Sequence, residues 1–248
     1  MPIPPEKYTK IYDVLYKSQD DSLHWNLSDF IENKERGSVL YFLNAHGVNM
    51  CARNCAFTET LLSGSYLLRD GVGIQIAFKW LGLKETENLN GTDLIPKIAQ
   101  YYQDKKIAIY GSSDETLSIL KNKLQAEGYN NIISMLHGFY DADTYVKDCK
   151  NHTPDLVILC MGMPKQELLS HDLKPYCDLV ICGGGWADFY SGAKKRAPEW
   201  MRKANIEWCH RLIKEPMRLG KRYTIDIVYF FINIFKIMRA SKKASDTS

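Results

Sequence analysis

Between residues 106 and 182, short apolar runs alternate with segments of helical spacing, and few folds accommodate that order. Lys106–Tyr110, Ile132–Leu136, Leu156–Met161 and Leu179–Cys182 read as strands. Glu115–Gly128, Asp143–Asn151 and Lys165–Leu173 read as amphipathic helices between them. A helix between consecutive strands returns the chain to the same edge of the sheet, so the strands run parallel. Near-continuous apolar strands also imply cover on both faces. The expected fold is an α/β, doubly wound, mainly parallel, Rossmann-like sheet with a basic helical C-terminal appendage.

The pattern extends upstream. Ser38–Asn44 and Tyr66–Leu68 read as strands, Val48–Leu62 as one helix, and Ile74–Leu81 as another that Gly82 stops. Asn90–Gly91–Thr92–Asp93 precedes a further helix, with Thr92 or Asp93 as its N-cap. Tyr8–Leu15 and Ser28–Glu35 read as short helices. The divisions are 1–37, an N-terminal helical segment; 38–193, the Rossmann-like domain; 194–240, the appendage; and 241–248, a disordered tail. With 248 residues and 45 % hydrophobic composition, the chain can bury a core without staples. Seven cysteines make an odd number. Cys160 and Cys182 fall in apolar strands, and Cys51 and Cys55 lack a His pair, so a reducing cytoplasm and no zinc site are expected. No signal peptide or membrane-spanning helix is expected.

Charge is distributed unevenly. From Lys194 to Arg222 there are ten Lys or Arg against Glu199, Glu207 and Glu215, a net +7 in a chain whose total is +3. A charged face is usually only solvated, but Arg211, Lys214, Arg218, Lys221 and Arg222 recur every three or four residues, which suits an anionic partner. Pro216 must kink or end the helix that carries them. Ile225–Met238 continues as an apolar helix, with Ile227, Phe231, Ile234 and Met238 on one side and Asp226, Asn233 and Lys236 on the other. Such a helix suits lying in a membrane interface; docking on the protein's own core or on a second subunit competes with that reading.

Parallel sheets bind ligands beyond the C-terminal ends of their strands. The polar residues there are Asn44, Asp70, Gly111–Ser113, His137, Gly162–Gln166 and Gly183–Asp188. Asp70 sits before Gly71 and Gly73, where a carboxylate suits general-base work or, equally, a helix cap. Gly162–Glu167 opens a helix whose free N–H groups suit a phosphate, with Gln166 available to a sugar hydroxyl; a plain strand–helix turn also explains it. His137 and Asp188 have structural explanations as well. Asp141–Ala142–Asp143 has the form of a DxD metal motif but directly precedes a helix, where Asp caps. Gly183–Gly185 lacks the GxGxxG spacing of a dinucleotide site. A Rossmann-type enzyme using a nicotinamide or methyl donor, and a non-enzymatic binder of nucleic acid or another anion, remain as alternatives.

Taken together, Asn44–Ala45–His46, Asp70–Gly71–Val72–Gly73, Gly91–Thr92–Asp93–Leu94, His137–Gly138 and Gly162–Met163–Pro164–Lys165–Gln166–Glu167 occur in a definite order. Gly184–Gly185, Asp188, Lys195–Arg196–Ala197–Pro198, Glu207–Trp208 and Arg211–Leu212 through Glu215–Pro216 to Arg218 follow. The set spans about residues 38–223 and resembles the WecG/TagA/CpsF family of bacterial glycosyltransferases. The resemblance implies an inverting, metal-independent, cofactor-free transferase. It would move a sugar from a UDP-sugar to a polyprenyl-diphosphate-linked sugar in cell-surface polysaccharide synthesis. It implies a cytoplasmic protein peripheral on the inner face of the cell membrane, with a homo-oligomer possible and no nucleic-acid partner. It assigns Asp70 as base, with Asn44 and Gln166 beside it. Gly71, Gly73, Asn88, Gly91, Thr92, Asp93, His137, Gly162, Lys165, Gly184, Gly185 and Asp188 are the expected substrate contacts. Arg196, Arg211, Lys214, Arg218 and Arg222 are the expected diphosphate contacts, in an appendage that completes the site and touches the membrane. Two positions depart from the pattern. Phe42 stands where several members have Thr, and Asn88 where several have Arg, so the donor and acceptor sugars are not carried over.

Overall fold

A computed structural model describes residues 5–204, 206–217, 220 and 224–245. Six parallel strands form one sheet: β1 (Ser38–Leu43), β2 (Tyr66–Arg69), β3 (Ile107–Gly111), β4 (Ile132–Leu136), β5 (Leu156–Cys160) and β6 (Leu179–Cys182). Their spatial order is β2-β1-β6-β5-β3-β4. The order departs from the chain order, so the links cross on both faces of the sheet. The helices are α1 (Pro5–Leu23), α2 (Leu27–Asn33), α3 (Ala45–Cys51), α4 (Cys55–Ser63), α5 (Val72–Trp80), α6 (Gly91–Gln100) and α7 (Asp114–Ala126). They continue with α8 (Ala142–His152), α9 (Lys165–Leu173), α10 (Trp186–Tyr190), α11 (Glu199–Lys203), α12 (Glu207–Lys214) and α13 (Ile225–Ser245). The expected doubly wound fold is present.

Two apolar cores lie on opposite faces. Val39, Tyr41 and Leu43 of β1 face one core with α1, α3, α4, α9 and α13, through Ile11, Val48, Phe57, Leu169 and Phe230. Leu40 and Phe42 face the other with α6, α7 and α10, through Ile95, Leu120 and Trp186. This is strand alternation read at period two with both sides buried. α1 is longer than the sequence suggests because it also closes the sheet's edge. Leu67 N–H donates to Asp21 Oδ2 at 2.7 Å and Arg69 N–H to Ser22 Oγ at 2.9 Å, satisfying the outer side of β2.

Asparagines punctuate the helices. Asn26, Asn44, Asn54 and Asn90 each accept from the backbone N–H three residues on. Two expectations are corrected by these caps. Residues 48–62 form two helices, because Asn54 takes the Phe57 N–H at 3.0 Å and restarts the helix. The cap of α6 is Asn90, which accepts from Asp93 N–H at 3.1 Å, and neither Thr92 nor Asp93 fills that role.

α13 docks on α1, α3 and α5 of its own chain, burying Phe230, Ile234 and Ile237. Asp226 and Asn233, expected on the outer side, face inward; Ile225, Val228, Tyr229, Ile232 and Phe235 are exposed. Polar partners on α3 draw those residues in, which a hydrophobic count along one helix cannot register. α13 runs to Ser245, beyond residue 240 where the tail was placed.

Candidate active site

The strand ends gather the expected residues along the C-terminal edge of the sheet. β1 and β2 pair with Leu43 opposite Arg69, so Asn44 and Asp70 leave adjacent strands side by side. Asp70 N–H donates to Leu43 carbonyl at 2.8 Å, which ties the two ends together. Asp70 does not cap α5: the cap position is Gly71, at φ +90°, with no side-chain cap bond. That left-handed backbone favours glycine and turns the chain sharply after the carboxylate. The turn is pinned from outside by Asn88, whose Oδ1 accepts from Gly71 N–H at 2.7 Å. It is held from inside by Arg69, 3 % exposed, whose guanidinium donates to the Gly71 carbonyl and Gln75 Oε1, each at 3.3 Å. Burial pulls the Arg69 pKa down against the neighbouring Asp70 charge. Gly73 admits α3 closely, since a Cβ there would meet Ala45 Cβ at 3.1 Å.

Asn44 caps α3 through Gly47 N–H at 3.1 Å. Gln166 is 2 % exposed and bridges two loops. Its Oε1 accepts from Gly162 N–H at 3.3 Å and Gly184 N–H at 3.0 Å, and its Nε2 donates to Glu167 Oε1 at 2.8 Å. Gln166 therefore orders the β5 and β6 loops from below. Glu167 is also 2 % exposed, and burial lifts its carboxyl to about 7. Neither Glu167 nor Arg69 was given a site role from the sequence: Glu167 closes the Gly162–Glu167 motif, and Arg69 directly precedes Asp70.

Lys165 Nζ donates to the carbonyls of Gly138 at 2.9 Å and Tyr140 at 2.7 Å, holding the loop after β4. In that loop His137 stacks on Tyr140 at 4.0 Å and its Nδ1 accepts from Phe139 N–H at 3.2 Å. Asp188, in the first turn of α10, accepts from Ser112 Oγ at 2.5 Å and pairs with Lys194 at 2.8 Å. Ser112 sits at φ +63°, an uncommon value for a residue with a side chain, and sequence reasoning gave it no role. Gly111 before it must be glycine, because a Cβ would lie 2.3 Å from the Cys160 backbone. Gly185 stands at the cap position of α10. Asp141 caps α8, accepting from Thr144 N–H at 2.8 Å.

The α6 start belongs to the same edge. Leu89 N–H donates to the Arg69 carbonyl at 3.0 Å, and the Phe42 ring packs on Gly91, where a Cβ would lie 3.0 Å from it. Phe42 is thus a core residue matched to Gly91. Asp93 receives the Arg196 guanidinium on both oxygens, with Asn90 Nδ2 at 2.8 Å and Arg202 at 3.8 Å. The Arg196 hydrogen bond, foremost, holds the Asp93 carboxyl below the usual range. Thr92 lies beside this clip, half-buried.

From that anchor the appendage continues on the α10 side. Phe189, Lys194, Lys195, His210, Arg211, Lys214 and Glu215 line a cavity of about 300 Å³. Arg211 lies 4.6 Å over the Phe189 ring and pairs with Glu207 at 2.8 Å. Arg218, Lys221 and Arg222 lie outside the described residues. At the appendage's other end, Asp226 meets His46 at 3.2 Å and Arg53 at 3.5 Å. The appendage is thus fastened at two points near the Asp70 loop: Arg196 to α6, and Asp226 to α3, the helix after Asn44.

A family model, Glycosyl transferase WecG/TagA/CpsF family, matches residues 13–244. Over 227 residues the chain is 30 % identical to a protein of Staphylococcus aureus strain MW2 named N-acetylglucosaminyldiphosphoundecaprenol N-acetyl-beta-D-mannosaminyltransferase, covering 88 % of each chain. Proteins of the same name from strains NCTC 8325 / PS 47 and COL match with the same identity and coverage. A strand-end carboxylate flanked by a fastened basic appendage is the arrangement found here over the span of that match. The chain belongs to the WecG/TagA/CpsF family of glycosyl transferases.

Proposed function

We propose that this protein transfers a sugar from a UDP-sugar to a sugar carried on a polyprenyl diphosphate, with inversion at the anomeric carbon. The observation that carries the proposal is Asp70, set beside Asn44 on a turn that Asn88 and Arg69 hold rigid, near the two fastenings of the basic appendage. The relatives' name specifies an N-acetylglucosaminyl-diphosphoundecaprenol acceptor and a β-linked product, which supports the acceptor class.

In this mechanism the Asp70 carboxylate takes the proton of the acceptor hydroxyl as that oxygen attacks the anomeric carbon from the face opposite UDP. The carbon–oxygen bond to UDP breaks in the same step, and the diphosphate leaves with the bonding pair. Its growing charge is offset by Arg211 and Lys214 at the 300 Å³ cavity, with Lys194 and Lys195 beside them. Gln166 keeps the Gly162 and Gly184 turns in place beneath the substrates. The acceptor's lipid anchor makes the inner face of the cell membrane the site of action.

The test is a panel of UDP-sugars, UDP-N-acetylmannosamine included, against short-chain polyprenyl-diphosphate N-acetylglucosamine, with product analysis. Asp70→Ala is expected to bind UDP and melt like wild type while losing about 100- to 10,000-fold in turnover. Near-normal turnover removes Asp70 from the role. EDTA is expected to leave the rate unchanged; loss restored by Mg²⁺ or Mn²⁺ overturns the metal-independent mechanism.

A further inference from the structure

The interface between α3 and α13 is apolar at Phe230, Ile234 and Ile237, but its centre is polar. Asn49 on α3 is 1 % exposed. Its Nδ2 donates to the Asp226 backbone carbonyl at 2.6 Å, and its Oδ1 accepts from Asn233 Nδ2 at 3.0 Å. Asp226 and Asn233 are seven residues apart, about two helical turns, so one side chain engages two successive points along α13. One turn nearer the strand end, His46 Nδ1 meets the Asp226 carboxylate.

Apolar contacts tolerate sliding, because they have no direction. Buried amides do not. A slip of one turn leaves the Asn49 and Asn233 amides desolvated without partners. A buried polar residue of this kind specifies register more than it adds stability. Register matters here because α13 packs against the first turn of α5, three residues after Asp70. Phe230 lies 3.9 Å from where a Gly73 Cβ would stand, and α3 is the helix that Asn44 caps.

We propose that Asn49, with Asn233 and Asp226, is a positioning residue that sets the register of the C-terminal helix against the helix leaving the active-site strand. It thereby holds the far end of the appendage beside Asp70. Only the turnover arm of the test rests on the transferase reading.

The experiment uses the full chain and two variants, Asn49→Leu and Asn49→Leu/Asn233→Leu. Hydrogen exchange over residues 225–240, thermal melting, and kcat and KM for the best UDP-sugar are measured. Asn49→Leu strands the Asn233 amide in an apolar interface, so exchange over 225–240 rises while the sheet stays protected. The double variant makes the interface apolar, so α13 is again protected, but in no fixed register. Its kcat stays down by about 10- to 100-fold, the range expected when a site is displaced by about an ångström. Unchanged exchange in Asn49→Leu overturns the proposal, as does wild-type kcat in the double variant. A wild-type protein that transfers no sugar sinks the transferase reading instead, and the exchange result then judges the register by itself.

Discussion

Asp70 owes its setting to hydrogen bonds that the sequence does not show. Asn88 stands where the resemblance led to an expectation of Arg in several members, and its carboxamide fixes the Gly71 N–H. Gln166, expected at a sugar hydroxyl, spends its carboxamide on two glycine N–H groups and Glu167. Glu167 leads to a pH prediction. Its Oε2 has no hydrogen-bond partner among the described residues, and burial raises the carboxyl from its ordinary 4.5 to about 7. The folded state therefore holds this proton more tightly than the unfolded chain does. The stability it contributes is complete below pH 4.5 and is lost as pH rises through 7. A displacement of this size corresponds to about 3 kcal/mol. Glu167→Gln should melt like wild type near pH 5 and above it near pH 8; parallel melting curves at both pH values would contradict the assignment.

Among the secondary-structure elements, strands and most helices were readable because their signals are local: short apolar runs, period 3.6, and caps. Ile132–Leu136, Lys165–Leu173 and Leu179–Cys182 match their expected limits. Two of the failures have a common cause, side chains that bond backbone in preference to continuing a helix. Asn54 broke one helix in two, and Asn90 moved the start of another. The Arg196–Asp93 clip is an element-level contact that joins residues 103 apart. Asp93→Ala should release Arg196 and expose residues 196–214 to trypsin, with little change in the sheet's melting. Unchanged cleavage would mean that other contacts hold the appendage. Because the Asp93 pKa is depressed, the clip's contribution is present above the ordinary carboxylate range and is lost as pH falls through the lowered value. Cleavage of wild type should therefore rise only on strong acidification.

For the molecule as a whole, α13 answers two demands. Its inner side completes a core, and its outer side leaves Ile225, Val228, Tyr229, Ile232 and Phe235 exposed. Arg53 lies over Tyr229 at 5.4 Å and Arg239 over Phe235 at 4.4 Å, placing cations along that stripe. No helix among the described residues is long and apolar enough to cross a membrane. An apolar stripe with flanking cations suits an anionic bilayer surface, where each nearby cation contributes about 1 kcal/mol. Full-length protein should co-sediment with phosphatidylglycerol vesicles, less so at high salt, and Val228→Glu/Ile232→Glu should weaken binding without lowering the melting temperature. Vesicle binding unaffected by that change, or a dimer that the change dissolves, would assign the stripe elsewhere.

Residue order alone was enough to establish the parallel sheet, the edge where its ligands belong and the motifs that line it, because period and apolar content act over a few neighbouring positions. It could not say which side of α13 turns inward, that Phe42 packs on Gly91, that Ser112 adopts a left-handed backbone, or that Gln166 is buried. Each of those depends on partners distant in the chain, and a buried polar group takes its conformation from whichever partner the fold delivers to it.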